Sequence, residues 1–571
     1  MSSLTSLNLQ NSKIEVIIPP AIRNMSLLAN LNLGRNNIEG ILPPAIENRA
    51  SLTHLNLERN NVEGIIPPAI GNISSLTYLD LSYNSLGGNI PWSSLGGLLK
   101  LPILCLDSNQ LNGSLSYNFD NLSSLEVLFI SDNYLNGTFL LSQLEGFTKI
   151  SELQLLDNFL TIEMNSNWIP KFQLWDLYLS SCNMHVDFHV FISTQYNIRE
   201  IDLSNNSLSG NILEWLWDLA FLESLNLSYH QFRGSLSSKF SAFDAQYVDL
   251  HRNNLQGNIC MPHPNVQFLD MSENQLKGIS QKSMKKYGPS QLIYFSLANN
   301  SIDGVSPHSI CEGPNLEVLD VSENNLIGNL FASFGYCSST LKVLNLENNH
   351  LERKIKSIIC LQTLKLGGNR LQGPIPTSLQ KCTSLEILDL AYNNIQGKTP
   401  SWLDKLTNLH ILVLGSNKLK GEMPLQLAKL QHLHVLILSN NHFSGAIPSS
   451  LSNLKAMKNQ TKISNVLQYS NSSSMPYVYK MEIVNKGQFL EYAKSLAMVR
   501  CLDLSGNNFS GDIPQGIGFL IGPKSLNLSR NHLSGKIPTY FINLVKLESL
   551  DISMNNIIGN ILGELQLKYL C

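Results

Sequence analysis

Charge is scarce in this sequence: 40 Lys and Arg stand against 43 Asp and Glu in 571 residues, a formal net charge of -3 at pH 7. So thin and balanced a charge provides no basic field for nucleic acid or an anionic membrane, which argues against a phosphate-binding role. Long apolar runs are missing too. Nothing approaches the roughly 20 residues of a membrane span, and the start has no charged stretch leading into an apolar core, so the chain as written neither spans a membrane nor announces secretion. Cysteine is sparse: nine residues are scattered from Cys105 to Cys571 with no Cys-x-x-Cys pair, so neither a zinc module nor a dense disulfide framework is signalled. Two readings of the thiols stay open: buried single thiols, or one or two bridges among Cys311, Cys337, Cys360 and Cys382, which fall on neighbouring coils. Phosphate-cradling Gly-rich loops, His-Glu-x-x-His helices and Gly-x-Ser-x-Gly elbows are all absent. His185 and His189 have metal-ligand spacing if helical, but no third ligand lies nearby in sequence. No catalytic residue, metal or cofactor is therefore assigned, and an enzyme is not expected.

What the sequence does have is a repeat. The phrase Leu-x-x-Leu-x-Leu-x-x-Asn recurs with its Asn at Asn36, Asn60, Asn84, Asn109 and Asn133, and onward through Asn393, Asn417 and Asn441. A step of about 24 residues gives about 22 stacked coils, which resolves the problem that the chain is too long for one compact core. Leu76, Leu79 and Leu81 show the alternation of a short strand with one side inward. Stacked coils then align one strand each into a parallel sheet. The recurrent Asn falls where the chain leaves the strand, and its amide both donates and accepts, so a column of Asn satisfies backbone groups that a tight buried turn would orphan. Cys182 and His230 take that place in two coils. The continuation Leu371-Gln372-Gly373-Pro374-Ile375-Pro376 reads as a bend at Gly with pairing stopped at Pro, and Ser378–Gln380 and Gln426–Ala428 as short helical or 3-10 turns beyond it. The fold class is an α/β repeat solenoid: a superhelix with a parallel β-sheet on its concave face and short helical or 3-10 turns on its convex side. The Gly-x-Ile-Pro ending resembles the plant-specific, extracellular class of leucine-rich repeats.

Sequons Asn-x-Ser/Thr fall at Asn24, Asn72, Asn112, Asn121, Asn136, Asn205, Asn226, Asn299, Asn459, Asn471, Asn508 and Asn527. They favour an oxidising, glycosylating route. A strand ending in Leu-Asn-Leu-Ser, however, writes a sequon as a by-product of the repeat.

The array breaks once, between Pro448 and Val499. The sequence therefore divides into repeats over 1–448, an inserted segment over 449–498, and repeats again over 499–571. Long irregular segments inside ordered arrays are usually functional. The close of the insertion, Tyr479-Lys480-Met481-Glu482, then Lys486-Gly487 and Glu491-Tyr492, then Leu502-Asp503-Leu504-Ser505, resembles the island domain of plant leucine-rich-repeat receptor-like proteins. Asn167-Trp168-Ile169-Pro170 and Glu214-Trp215-Leu216-Trp217 are similar to the subgroup of fungal elicitor and xylanase receptors. The resemblance implies a kinase-less cell-surface immune receptor at the extracellular face of the plasma membrane. Such a receptor binds an extracellular protein or peptide and signals through partner receptor kinases. It also implies that the island contacts ligand or co-receptor, through Lys486, Gly487, Glu491 and Tyr492, with Tyr477 nearby; folding of the island back onto the array is the competing reading of the same residues. The family begins with a leader and a cap and ends in a membrane helix, whereas this chain starts within a repeat at Leu4-Thr5-Ser6-Leu7 and stops after roughly three coils beyond the insertion. It reads as truncated at both ends, and membrane attachment is expected through a segment outside it.

Alternation places Asp80, Glu200, Asp202, Asp249, Asp270, Glu273, Asp320, Glu323 and Asp389 in an acidic column on the concave face. Such a column either attracts a basic peptide or is simply the Leu-Asp-Leu-Ser consensus of the repeat. Tyr78, Tyr83, Tyr178, Tyr229, Tyr247, Phe268, Tyr294 and Tyr392 are placed on the same face, and the last six are candidate contact anchors because exposed aromatics carry large interface area. Alternative functions are the ectodomain of a receptor kinase and a secreted inhibitor of a microbial wall-degrading enzyme.

Overall fold

The structure is a computed structural model. It describes residues 3–18, 25–43, 51–115, 122–165, 168–184, 189–279, 291–305, 313–329, 339–354, 361–458, 468–471, 474–485, 488–493 and 495–559. The chain divides into two units, 1–276 and 277–571.

In the first unit, twelve strands of three residues run in parallel from Ser6–Asn8 to Phe268–Asp270. Each pairs with the next coil in the same register: Ser6 opposes Asn30, His54 opposes Tyr78, and Asp176 opposes Glu200. The middle residue of each triplet is apolar and points inward, as with Leu31, Leu79 and Leu225, all under 2% exposed. The first and third residues face the other way and form the strand face. The second unit repeats this plan with ten strands from Tyr294–Ser296 to Ser549–Asp551.

The Asn column behaves as its chemistry requires. Asn393 donates through Nδ2 to the carbonyls of Leu366 in the preceding coil (2.9 Å), Leu390 (3.2 Å) and Ala391 (2.9 Å), and its Oδ1 accepts from the Leu371 amide (2.9 Å). One side chain thus satisfies four backbone groups in two coils. The substitutes work similarly: the Cys182 Sγ lies 3.3 Å from the Leu155 carbonyl, and the His230 Nδ1 lies 3.0 Å from the Asn206 carbonyl. The residue before the Asn is left-handed in nearly every described coil, at φ 54 for Tyr83, 57 for Tyr229 and 52 for Tyr392. Left-handed backbone is costly for L-residues, and the bonds of the neighbouring Asn hold it there.

Beyond the Asn the structure corrects the sequence reading. The Asn-Leu-x-Gly stretch does more than bend: it pairs into further parallel sheets. In the first unit these include Asn61–Ile65 beside Ser85–Asn89; in the second, nine strands run from Asp303–Val305 to His532–Ser534. Pairing does stop at Pro, where 3-10 turns follow at Thr377–Lys381 and Leu425–Lys429, over the two segments named for them.

The insertion interrupts sequence without interrupting stacking. Val435–Ile437 pairs directly with Cys501–Asp503, and Asn507 donates to the Leu438 carbonyl (3.0 Å) across 69 residues of chain. The segment between leaves through a 3-10 turn at Ser449–Asn453 and a short helix at Lys455–Lys458. It then forms two antiparallel pairs, Gln468–Asn471 with Ser474–Val478 and Met481–Asn485 with Gln488–Tyr492. Tyr479, Met481 and Ile483 pack against Val318, Val343, Ile387, Ile411 and Val435, which are the first residues of strands in the second unit. At its base, His434 Nδ1 meets the Val499 carbonyl at 2.7 Å and Arg500 Nε donates to the Ala456 carbonyl at 2.8 Å. Cys105, Cys182 and Cys501 are buried thiols and Cys260 is half-buried. Cys311, Cys337 and Cys360, and His185, lie outside the described residues.

Candidate functional site

The structure offers two surfaces: the open strand face of the first unit, and the insertion on the strand face of the second.

The acidic column separates into two chemically different sets. Asp80, Asp202, Asp270 and Asp320 occupy the third strand position, and their Oδ1 atoms accept from the amide and the hydroxyl of the serine two residues on, as with Ser82 at 3.0 and 2.6 Å. Asp389 accepts from the Ala391 amide (2.9 Å) and Asp249 from the His251 amide (3.0 Å). These carboxylates cap the turn that follows each strand, so the consensus reading holds for them. Glu273 and Glu323 are not strand residues at all; they occupy the left-handed turn position, at φ 51 and 53.

Glu152, Asp176 and Glu200 differ. They occupy the first strand position in three successive coils and oppose one another directly, Glu152 to Asp176 and Asp176 to Glu200. Like charges in directly opposed positions repel. Burial, then the neighbouring Glu200, pushes the Glu152 carboxyl up; burial, then Glu200 and Glu152, pushes Asp176 up to about 6, with only Arg199 opposing. Glu200 accepts a hydrogen bond from the Tyr178 hydroxyl. Trp175, 47% exposed, immediately precedes Asp176, and the Arg199 guanidinium lies 5.7 Å over its ring. Sequence reasoning named Glu200 but missed Glu152, Asp176 and Trp175. The signal was available as strand parity: among the 22 triplets, these three alone begin with an acid.

The candidate anchors fall in different settings. Tyr178 and Tyr247 stand on the strand face of the first unit, half-buried; Tyr247 stacks on Phe268 at 4.4 Å. Phe268 is 7% exposed, so it presents little surface of its own, a correction to its reading as an exposed anchor. Tyr229 and Tyr392 lie in turns beyond the strand rather than on its face. Tyr229 has Arg252 4.8 Å over its ring, and Tyr392 is 61% exposed.

In the second unit, Tyr294 packs under the insertion with its ring 6.4 Å from Tyr477. Tyr477 itself points inward: its hydroxyl donates to Asp320 Oδ2 at 2.8 Å and accepts from Asn345 Nδ2 at 3.3 Å. Tyr492 packs against the same cluster, whereas Glu491 is exposed and lies 3.8 Å from Lys480. Lys486 and Gly487 lie outside the described residues. Beneath the insertion is a buried ion pair that sequence reasoning missed. Lys365, 5% exposed, donates to Glu347 Oε2 and to the Lys480 carbonyl, each at 2.8 Å.

Among the sequons, Asn72, Asn112, Asn136, Asn205, Asn299 and Asn508 are exposed. Asn226 and Asn527 sit at strand ends with Oδ1 accepting from the hydroxyls of Ser228 and Ser529 at 2.7 Å, the turn-capping role that Asp fills elsewhere. Asn24, Asn121 and Asn459 lie outside the described residues, and Asn471 stands in the first insertion strand.

A ladder of parallel three-residue strands tied by buried Asn defines a repeat protein built of stacked coils. Models of the leucine-rich repeat match residues 2–62, 50–111, 264–326 and 359–419, and single-repeat models match 197–219, 432–454, 498–520 and 523–544. The chain belongs to the leucine-rich-repeat family. Within it, the chain resembles plant receptor-like proteins. It is 32% identical over 357 residues to receptor-like protein 53 of Arabidopsis thaliana, covering 62% of this chain and 32% of that protein. It is 31% identical over 251 residues to receptor-like protein EIX2 of Solanum lycopersicum, covering 35% and 24%. The chain thus spans about a third of the length of the first of these. Among solved structures, it superposes on the plant peptide hormone receptor RGFR1 in complex with RGF2 at TM-score 0.73 and 25% identity, over 100% of this chain and 93% of that one. The receptor kinase HAESA of Arabidopsis, in complex with the peptide hormone IDA and the co-receptor SERK1, gives TM-score 0.67 and 26% identity over 98% and 84%. Among the described residues, no helix is long and apolar enough to cross a membrane.

Proposed function

We propose that this chain is the extracellular recognition part of a plant receptor-like protein, which binds a protein or peptide ligand at the cell surface and signals through partner receptor kinases. The observation that carries this reading is the strand face of the first unit. Its first-position residues are half-buried or exposed from Ser6 to Tyr247, and Glu152, Asp176 and Glu200 form a repelling row beside exposed Trp175. A ligand presenting Lys or Arg would relieve that repulsion, and the aromatic side chain beside it would supply contact area. Segment 449–498 is assigned as the island. Glu491, Tyr492, Lys486 and Gly487 are its candidate contacts; Tyr477 is better read as an anchor of the insertion than as a ligand contact, because its hydroxyl is engaged beneath it. Exposed sequons such as Asn72 and Asn136 are the glycosylation sites this placement favours over Asn226 and Asn527.

The test is to secrete the chain behind a supplied leader and measure its binding to synthetic peptides of equal length, one rich in Lys and Arg and one in Asp and Glu. Expected is selective binding of the basic peptide, weakened about tenfold by combined Glu152→Gln, Asp176→Asn and Glu200→Gln, each neutralised contact being worth a fraction of a kcal/mol to about 1 kcal/mol. Equal binding of both peptides, or no effect of the triple change, rejects this face as the ligand surface. A second reading, a receptor-kinase ectodomain, is favoured by the likeness to RGFR1 and HAESA over nearly the whole chain. A kinase reading frame downstream in the gene would select it.

A further inference from the structure

The insertion is seated on charge as well as on apolar surface. On the array side its seat contains Asp320, Glu347, Lys365, Glu386 and Asp389, and from the insertion come the Tyr477 hydroxyl, Tyr479 and the Lys480 carbonyl. At the base of the insertion, His434 is held neutral, its pKa pushed down to about 3 by burial, and Arg500 is bonded to backbone. Lys365 is the one cation of this seat among the described residues, and it is already bonded to Glu347 and to the insertion backbone; His410, whose amide donates to the Glu386 carbonyl, is buried with its pKa lowered by that burial.

Burial, then neighbouring Glu347, pushes Asp389 up to about 7 despite Lys365, and burial pushes Glu386 up to about 7. With both protonated, the seat holds the carboxylates of Asp320 and Glu347 against one ammonium. With both ionised it holds four carboxylates against one. One added charge arises on buried Asp389, opposite Lys365 and its bond to the Lys480 carbonyl, and the other on half-buried Glu386 near Tyr479.

We propose that the insertion is a proton-sensitive lid: Asp389, which opposes Lys365 in the ladder beneath Lys480, and Glu386, half-buried beside the covered Ile387, hold it down when protonated and loosen it when they ionise. Opening lets both carboxyls return toward ordinary values, so closing takes up protons and is favoured in acid. It also uncovers Val343, Ile387, Ile411 and Val435, turning a closed core into an apolar strip. The lid thereby couples solvent pH to the surface that carries Glu491 and Tyr492.

The experiment is hydrogen exchange on the full chain, following amides of residues 477–483 at about pH 5 and about pH 8 after correction for the chemical exchange rate. Expected is a loss of protection on the order of tenfold at the higher pH, with the strand Asn30–Asn32 of the first unit as the unchanging reference. Combined Asp389→Asn and Glu386→Gln should hold the protection constant across the range. If the double variant fails to fold, Glu386→Gln alone should remove a measurable part of the pH dependence. Equal protection at both pH values in the unmodified chain, or an undiminished pH response in the folded variant, overturns the lid.

Discussion

The two units share one backbone and differ in what stands on it. In the first, the outward strand positions read Asn30, His54, Tyr78, Ile103, Val127, Glu152, Asp176, Glu200 and Ser224, all half-buried. In the second, between Val318 and Cys501, the same positions read Val318, Val343, Thr363, Ile387, Ile411, Val435 and Cys501, none more than 1% exposed. Each set occupies the first position of the parallel strands in its own unit, so local structure does not distinguish them. The difference lies in the insertion, which buries the second face and leaves the first open. A strand face in this architecture is therefore either core or solvent-facing according to what covers it, and its composition follows. Aliphatic residues predominate where Tyr479, Met481 and Ile483 press down, with Thr363 and Tyr294 among them; the open face is mostly polar, acidic and aromatic, with Ile103 and Val127 as its aliphatic members.

The largest expected effect tests that contrast head on. Ile411→Ala removes a fully buried side chain beneath the insertion and is expected to cost about 3 kcal/mol, whereas Ile103→Ala, at the matching position of the open face, should cost less than about 1 kcal/mol; urea unfolding of each variant reads both. Equal losses would mean that the insertion does not seat on this face.

Next in size is a change that should not discriminate. Asn393→Ala and Asn84→Ala each strand several backbone groups, and each should cost about 2 to 3 kcal/mol, because the Asn column serves both units alike. A marked inequality would show that the shared framework differs between units as well.

The pH dependence of stability comes third. Asp389 and Glu386 are raised to about 7 and Asp107 and Asp176 to about 6, in each case chiefly by burial. Folded carboxyls with raised pKa bind protons more tightly than unfolded ones, so unfolding releases protons once the pH exceeds the ordinary carboxylate range. Their contribution to stability therefore falls as pH rises through about 4 to 7 and levels off above it, while His434 and His230, lowered by burial to about 3 and about 4, contribute in the opposite sense below about 6.5 and offset part of it. Thermal melting at about pH 5 and about pH 8 should show the higher midpoint in acid; a higher midpoint at the alkaline end would contradict the burial of these groups.

The smallest effect sharpens the open face. Asp176→Asn relieves a like-charge contact in a half-exposed row and should raise stability by about 0.5 kcal/mol at neutral pH, with most of the gain lost in high salt.

The repeat phrase was legible because it is dictated by local chemistry. Leucines spaced for a strand, an Asn able to serve four backbone groups and a Pro that ends pairing describe a coil without reference to any other coil. The second set of sheets was not legible in the same way. Asn-Leu-x-Gly carries too few alternating apolar residues to look like a strand, and it pairs only because stacking brings identical stretches side by side. The aspartates illustrate the same limit from the other side. Asp80 and Glu200 looked alike in sequence, yet the first caps a turn through Ser82 and the second stands in a repelling row.

What the sequence determined by itself was the coil, its number and its stacking direction, because each coil's bonds run within it or to an identical neighbour one period away. Tertiary structure alone decided where the insertion lands. The partners of Tyr477 and Lys480 are Asp320 and Lys365, 157 and 115 residues away in sequence. No periodic signal connects such positions. Only the placement of the hairpins over one face turns Lys365, Asp389 and the aliphatic strand residues from surface into core.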